Sequence, residues 1–210
     1  MKTPATALVV LAALAAGVGA WYLWQRPAAT PAAPEEPPLR LAEQVPAFTL
    51  MDRDGQPRSL ADWQGKSLIV NFWATWCAPC RREIPLLDAL QQEFGPQGFQ
   101  VIGIAADYRD KVLAYADETR IGYPLLIGEQ EALDAAAAFG VEVVGFPFTI
   151  FSDARGRIVA AHVGELTRPQ AEVILGAVTD LNAGRLTLDQ ARQHIQDGLQ
   201  ALPPPAHGPA

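Results

Sequence analysis

Only two cysteines occur in the chain, Cys77 and Cys80, and they lie three residues apart in "NFWATWCAPCRREIP", Asn71 to Pro85. A structural zinc site needs about four ligands, so two thiols fall short. An inert local disulfide closes too short a loop to restrain the unfolded chain. Two chemistries remain: a dithiol that exchanges with other disulfides, or a Cu(I) site on soft sulfur. The thiolate is the reactive form of cysteine, and a helix N-terminus stabilises it through free N–H groups and partial positive charge. Thiols of C-x-x-C pairs so placed have pKa values lowered from ~8.5 to roughly 3.5–7.5. The spacing predicts Cys77 near the N-cap, exposed and attacking, and Cys80 one turn inside, shielded and resolving. Pro79 suits a first helical turn, where a missing N–H costs nothing.

Placing the pair at a helix start requires a strand before it and a helix after it. "SLIVNFW", Ser67 to Trp73, is apolar on both faces and reads as a buried, central strand. A helix is expected from about Ala78 to Phe94, with Ile84, Leu87, Leu90 and Phe94 facing the sheet and Gly95-Pro96 stopping it. Pro85 lies inside it and should kink it near Arg81. Asp54-Gly55 marks an opening hairpin. Phe99 to Ala106 reads as a second buried strand, "DKVLAYADETR" as a helix, "YPLLIG" as a short strand and "EQEALDAAAAFG" as a helix ended by Gly140. "FTIF" and "GRIVAAHVG" form strands around a turn at Asp153 to Gly156. Thr167 and Pro169 open a helix to about Asn182, and Thr187 with Gln190 opens a last one to about Leu202. The alternation implies a mixed α/β sheet with helices on both faces.

The 210 residues carry 23 acidic and 16 basic side chains, a net charge of −7, which argues against nucleic acid as a partner. Ala5 to Trp24 is an uncharged stretch long enough to span a bilayer. A signal peptide cut after Val18-Gly19-Ala20 competes with an uncleaved anchor, and Trp21, Tyr22 and Trp24 followed by Arg26 favour the anchor. Residues 1–26 are thus expected to be the membrane anchor. Residues 27–40, rich in proline and alanine, read as an extended spacer. The folded domain is expected over 41–183, an additional helix over 184–202 and a disordered tail over 203–210.

"VNFWATWCAPCRREIP" resembles the active-site stretch of the thioredoxin superfamily, and in detail that of the membrane-tethered TlpA/ResA-type thiol–disulfide oxidoreductases of the bacterial envelope. The likeness covers roughly Val45 to Leu166 and implies a thioredoxin fold, to which the C-terminal helix pair is an addition. It implies that Pro147 in "VGFPFT" is a cis-proline beside the cysteines, and that the backbone of Phe146 pairs with an extended substrate. Phe148 replaces a small polar residue of many relatives, which suggests a more apolar groove. Glu83, three residues after Cys80, matches the acidic residue that ResA-like proteins place near the buried cysteine, suited to taking and returning its proton. Asn71 stands where cytoplasmic thioredoxins bury an aspartate, and it cannot titrate. Trp73 reads as core and Trp76 as a lid beside Cys77. Arg81 and Arg82 read as a solvated face, and His162 as no ligand.

The resemblance implies a disulfide reductase with no cofactor and no metal. Its partners would be disulfide-bearing substrate proteins, a membrane electron donor, and the bilayer through residues 5–24. It would sit at the bacterial inner membrane with its domain outside the cytoplasm, possible substrates including cytochrome c precursors and copper-site cysteines. A tethered Cu(I) chaperone is the alternative, although the copper-delivery pattern has one more residue between its cysteines. A thiol peroxidase is less favoured, because no P-x-x-x-T-x-x-C pattern precedes the pair.

Overall fold

The computed structural model of the protein describes residues 41–141 and 145–203. The proposed anchor, the spacer and all of the tail but Pro203 lie outside those residues. Among the described residues no helix is long and apolar enough to cross a membrane.

Asp54 and Gly55 turn the chain between β1 (Thr49–Asp52) and β2 (Pro57–Ser59), where Gly55 takes φ 75°, a backbone region that glycine enters without strain. A 3-10 turn, Leu60–Trp63, follows. Every residue of β3 (Ser67–Trp73) is buried, as its two apolar faces demand. The remaining elements are α1 (Ala78–Phe94), β4 (Phe99–Ala106), α2 (Arg109–Thr119), β5 (Leu125–Gly128), α3 (Gln130–Ala138), β6 (Phe148–Ser152), β7 (Ile158–Val163), α4 (Arg168–Asn182) and α5 (Leu188–Ala201). Capping explains the last two starts: Gln170 accepts the Thr167 N–H at 2.9 Å, and Gln190 accepts the Thr187 N–H at 2.9 Å. α1 runs through Pro85 as one element.

The strands form one sheet in the order β2-β1-β5-β4-β3-β6-β7. β4 rather than β3 takes the exact middle, because the opening hairpin joins the sheet beyond β5 through an antiparallel β1–β5 pairing. β3 runs parallel to β4 and antiparallel to β6. One face, with Ile69, Trp73, Val101 and Phe151, packs against α1, α2, α4 and α5. The other, with Val70, Phe72, Ile102 and Ile150, is covered by α3 and the segment around Leu60. Helices therefore flank both faces. α5 lies against β7, where Arg192 donates to the Ile158 carbonyl at 2.7 Å and occupies an acceptor of that edge strand.

Candidate active site

β3 ends at Trp73, and a turn through Ala74, Thr75 and Trp76 delivers Cys77 to the N-cap of α1. Cys77 has extended backbone angles (φ −83°, ψ 105°), and its Sγ accepts the Cys80 N–H at 3.2 Å. This satisfies one of the free N–H groups of the first turn. Pro79 occupies that same turn. The two cysteines are joined by a disulfide, with Cα atoms 5.3 Å apart. Cys80 is fully buried, as expected. Cys77 was expected to be exposed, but only 5 % of it is accessible. In the oxidised pair its sulfur is bonded to Cys80 and turned over the helix end, so little of it meets solvent. Trp76, by contrast, is 68 % exposed.

The turn before Cys77 is held by a residue that reading the sequence missed. Asp107, nearly buried just beyond β4, accepts the Thr75 N–H at 3.1 Å, the Thr75 hydroxyl, and the Tyr108 N–H at 2.8 Å. The pairing that brings them together appears only in the sheet: Trp73 pairs with Ala105 in parallel register, so Thr75 and Asp107 leave the sheet side by side. Parallel strands place their functional groups at such carboxyl ends.

Behind the pair, Glu83 is 1 % exposed and so is not a solvated helix residue. One carboxylate oxygen accepts the Leu166 N–H at 2.8 Å and the other accepts Asn71 Nδ2–H at 2.7 Å. Burial pushes its pKa up from 4.5 to about 7, against the two hydrogen bonds, and the nearby charge of Glu165 adds to the rise. Asn71 Nδ2 also donates to Thr149 Oγ1 at 3.0 Å. Thr149 and Leu166 were not expected at the site. They come from β6 and the loop after β7, and nothing local in the sequence fixes those registers. Arg82 is exposed, as a solvated face requires, but it also pairs with Glu165 at 2.6 Å and so ties α1 to that loop. His162 pairs with Thr149 across β6 and β7; burial lowers its pKa, and its Nε2 lies 3.4 Å from the Glu165 carbonyl. Among the described residues no group of three or more metal-ligating side chains comes together.

The Phe146–Pro147 peptide bond is cis. The Phe146 ring leans against Trp76, with centroids 6.1 Å apart. A cavity of about 420 Å³ opens beside them, lined by Trp76, Asp107, Tyr108, Glu129, Leu133 and Phe146 among others. Phe148 does not make this groove more apolar. It is buried and stacked on Phe72 at 4.4 Å, because alternation along β6 turns it into the α3-side core.

Residues 41–161 match the AhpC/TSA family model. The chain belongs to the AhpC/TSA family. It is 32 % identical over 167 residues to the thioredoxin-like protein YneN of Bacillus subtilis, spanning 78 % of this chain and 92 % of that one. Against the thiol-disulfide oxidoreductase ResA of Halalkalibacterium halodurans it is 32 % identical over 134 residues, 63 % of this chain and 74 % of that one. A solved thiol:disulfide interchange protein of Chlorobium tepidum, described as a thioredoxin family protein, superposes with a TM-score of 0.54 at 28 % identity, covering 76 % of this chain and 97 % of the other. The sheet and its flanking helices are thus a thioredoxin-like fold. With the Cys77–Cys80 pair, these relatives make the protein a thiol–disulfide oxidoreductase.

Proposed function

We propose that the protein reduces disulfides of other proteins, with Cys77 as attacking thiolate, Cys80 as resolving thiol and Glu83 as the group that takes the Cys80 proton. The observation that carries this is a disulfide-bonded C-x-x-C pair at a helix start, backed one turn later by the buried Glu83 carboxyl, whose pKa burial pushes up to about 7. In the reduced protein, Cys77 thiolate attacks one substrate sulfur. A mixed disulfide forms, and the first substrate thiolate leaves and is protonated by water. Cys80 gives its proton to Glu83 and attacks Cys77 Sγ. The second substrate thiolate leaves and takes that proton. Two electrons pass to the substrate, and the protein ends as the Cys77–Cys80 disulfide. Trp76, Phe146 and Pro147 flank the approach to Cys77 and would guide an extended substrate segment.

The charge-free segment from Ala5 to Trp24 supports attachment to the bacterial inner membrane, with the domain held outside the cytoplasm by the spacer. Disulfides persist there and glutathione is no ready donor, so re-reduction would come from a membrane partner. Substrates of cytochrome c or copper-site assembly suit this setting. Insulin reduction with a chemical donor tests the core of the proposal. Activity lost in Cys77→Ser and in Cys80→Ser supports it, and no activity together with tight stoichiometric Cu(I) binding replaces it by the chaperone reading. A carbonate wash tests the location, with release of the intact chain from membranes refuting the anchor.

A further inference from the structure

The chain has two asparagines, and they are used differently. Asn182 spends both ends of its amide on fixed partners: Nδ2 donates to Ser67 Oγ at 2.8 Å, and Oδ1 accepts the Ala154 N–H at 3.1 Å. Asn71 is fully buried, and its Nδ2 serves both Glu83 and Thr149, while Oδ1 finds no partner among the described residues. A buried amide end left alone costs free energy, and such exceptions call for a reason.

The reason lies in what Glu83 becomes when it takes a proton. As a carboxylate it only accepts, and Asn71 offers it an N–H. As a carboxylic acid it must donate. An asparagine amide turned by about 180° exchanges its nitrogen and oxygen with no change of shape. Oδ1 would then stand where Nδ2 stands and has two lone pairs, one for the Glu83 O–H and one for the Thr149 hydroxyl. Thr149 reverses as easily, since a hydroxyl accepts or donates. In each orientation one end of the amide is paired twice and the other is unpaired, so neither protonation state is locked in. An aspartate at this position would set a second carboxylate against Glu83, and a leucine would serve neither state.

We propose that Asn71 is a two-way positioning residue whose amide turns over when Glu83 gains or loses the proton, with Thr149 reversing its hydroxyl in step. The inference rests on Glu83 being the proton acceptor for Cys80. Other titratable groups lie close by: Glu165, held by Arg82, on the loop after β7 and Tyr123 ahead of β5 both interact with Glu83, and His162 on β7 sits across from Thr149. The test has to isolate Glu83 from these, and a Glu83→Gln comparison does so.

The full-length oxidised protein, labelled with 15N at asparagine, should show two side-chain NH2 pairs. Through the Glu83 titration the Asn71 pair should shift and exchange its proximity to the Thr149 methyl for contacts on the opposite side, while the Asn182 pair stays still. In Glu83→Gln the Asn71 movement should vanish. The second measurement is the pH–rate profile of insulin reduction. Asn71→Leu should lower the rate about tenfold on both sides of the midpoint, because it deprives both forms of Glu83 of a partner. A loss confined to the alkaline side, or an Asn71 amide whose contacts do not change with pH, overturns the inference and leaves Glu83 its role. A profile unchanged in Glu83→Gln overturns the role of Glu83 and the inference together.

Discussion

Replacing Glu83 by glutamine should change how stability depends on pH. The carboxyl group titrates near 4.5 in the unfolded chain and at about 7 in the folded one. Below about 4.5 both states hold the proton. Between about 4.5 and 7 the folded protein keeps a proton that the unfolded chain has released, so stability falls as pH rises; above about 7 the loss is complete. At 1.36 kcal/mol per pKa unit the loss comes to about 3 kcal/mol. For a domain of this size that is a lowering of the melting temperature by roughly 10 °C. Glu83→Gln has no such proton. It should carry a constant offset, because one amide oxygen cannot serve both the Leu166 and Asn71 donors, but no slope from this site. The assay is thermal and urea unfolding of the oxidised wild type and variant from pH 4 to 8.5, taken as a difference curve. His162 is common to both proteins and cancels. A flat difference curve would mean that Glu83 titrates as an exposed carboxylate does, and the buried-acid reading would be lost.

In the reduced protein Cys77 should be the thiol that iodoacetamide modifies, as found by fragment mass mapping, since Cys80 lies wholly inside the first turn; faster labelling of Cys80 reverses their roles. Asp107→Ala removes the acceptor of three donors and should cost about 3 kcal/mol in urea unfolding while slowing disulfide exchange, because the Thr75–Trp76 turn loses its anchor; unchanged exchange would make the clamp purely structural. Glu165→Gln should lower the Glu83 midpoint and Arg82→Ala should raise it, read from the same difference curves; shifts of the opposite sign would show that the Glu165 charge does not reach Glu83.

Much of this could be read from the chain. β3, α1 and β4 are bounded by apolar runs and by Gly95-Pro96, so their limits fall where periodicity puts them. The position of Glu83 on the Cys80 side of α1 follows from helical spacing alone. Its burial does not, because that depends on Leu166, a partner 83 residues away, and on a loop that no local pattern places. The two-sided use of Asn71 was hidden for the same reason, since Thr149 is 78 residues distant and its register with β3 emerges only when the sheet assembles. Phe148 was misread as groove lining because a residue after a cis-proline was assigned a face before the strand had a register. The burial of Cys77 was missed because an N-cap position describes the backbone, whereas exposure depends on where the sulfur turns.

The sheet order explains why these distant pieces meet. β3 and β4 are parallel, so their carboxyl ends lie together and bring Thr75, Cys77 and Asp107 to one rim. β6 is antiparallel to β3, so its beginning rather than its end arrives at that rim, carrying cis-Pro147 just ahead of it. β7 returns antiparallel to β6 and ends at the same side, where Gly164 N–H binds the Pro147 carbonyl at 2.9 Å and the next residues close over Glu83. One alternation of strand directions thus places Cys77, the Asp107 anchor of its turn, cis-Pro147 and the buried Glu83 at one end of the molecule. Reversing any of these strands would carry its group to the opposite end, which lies more than a strand length away at about 3.3 Å per residue.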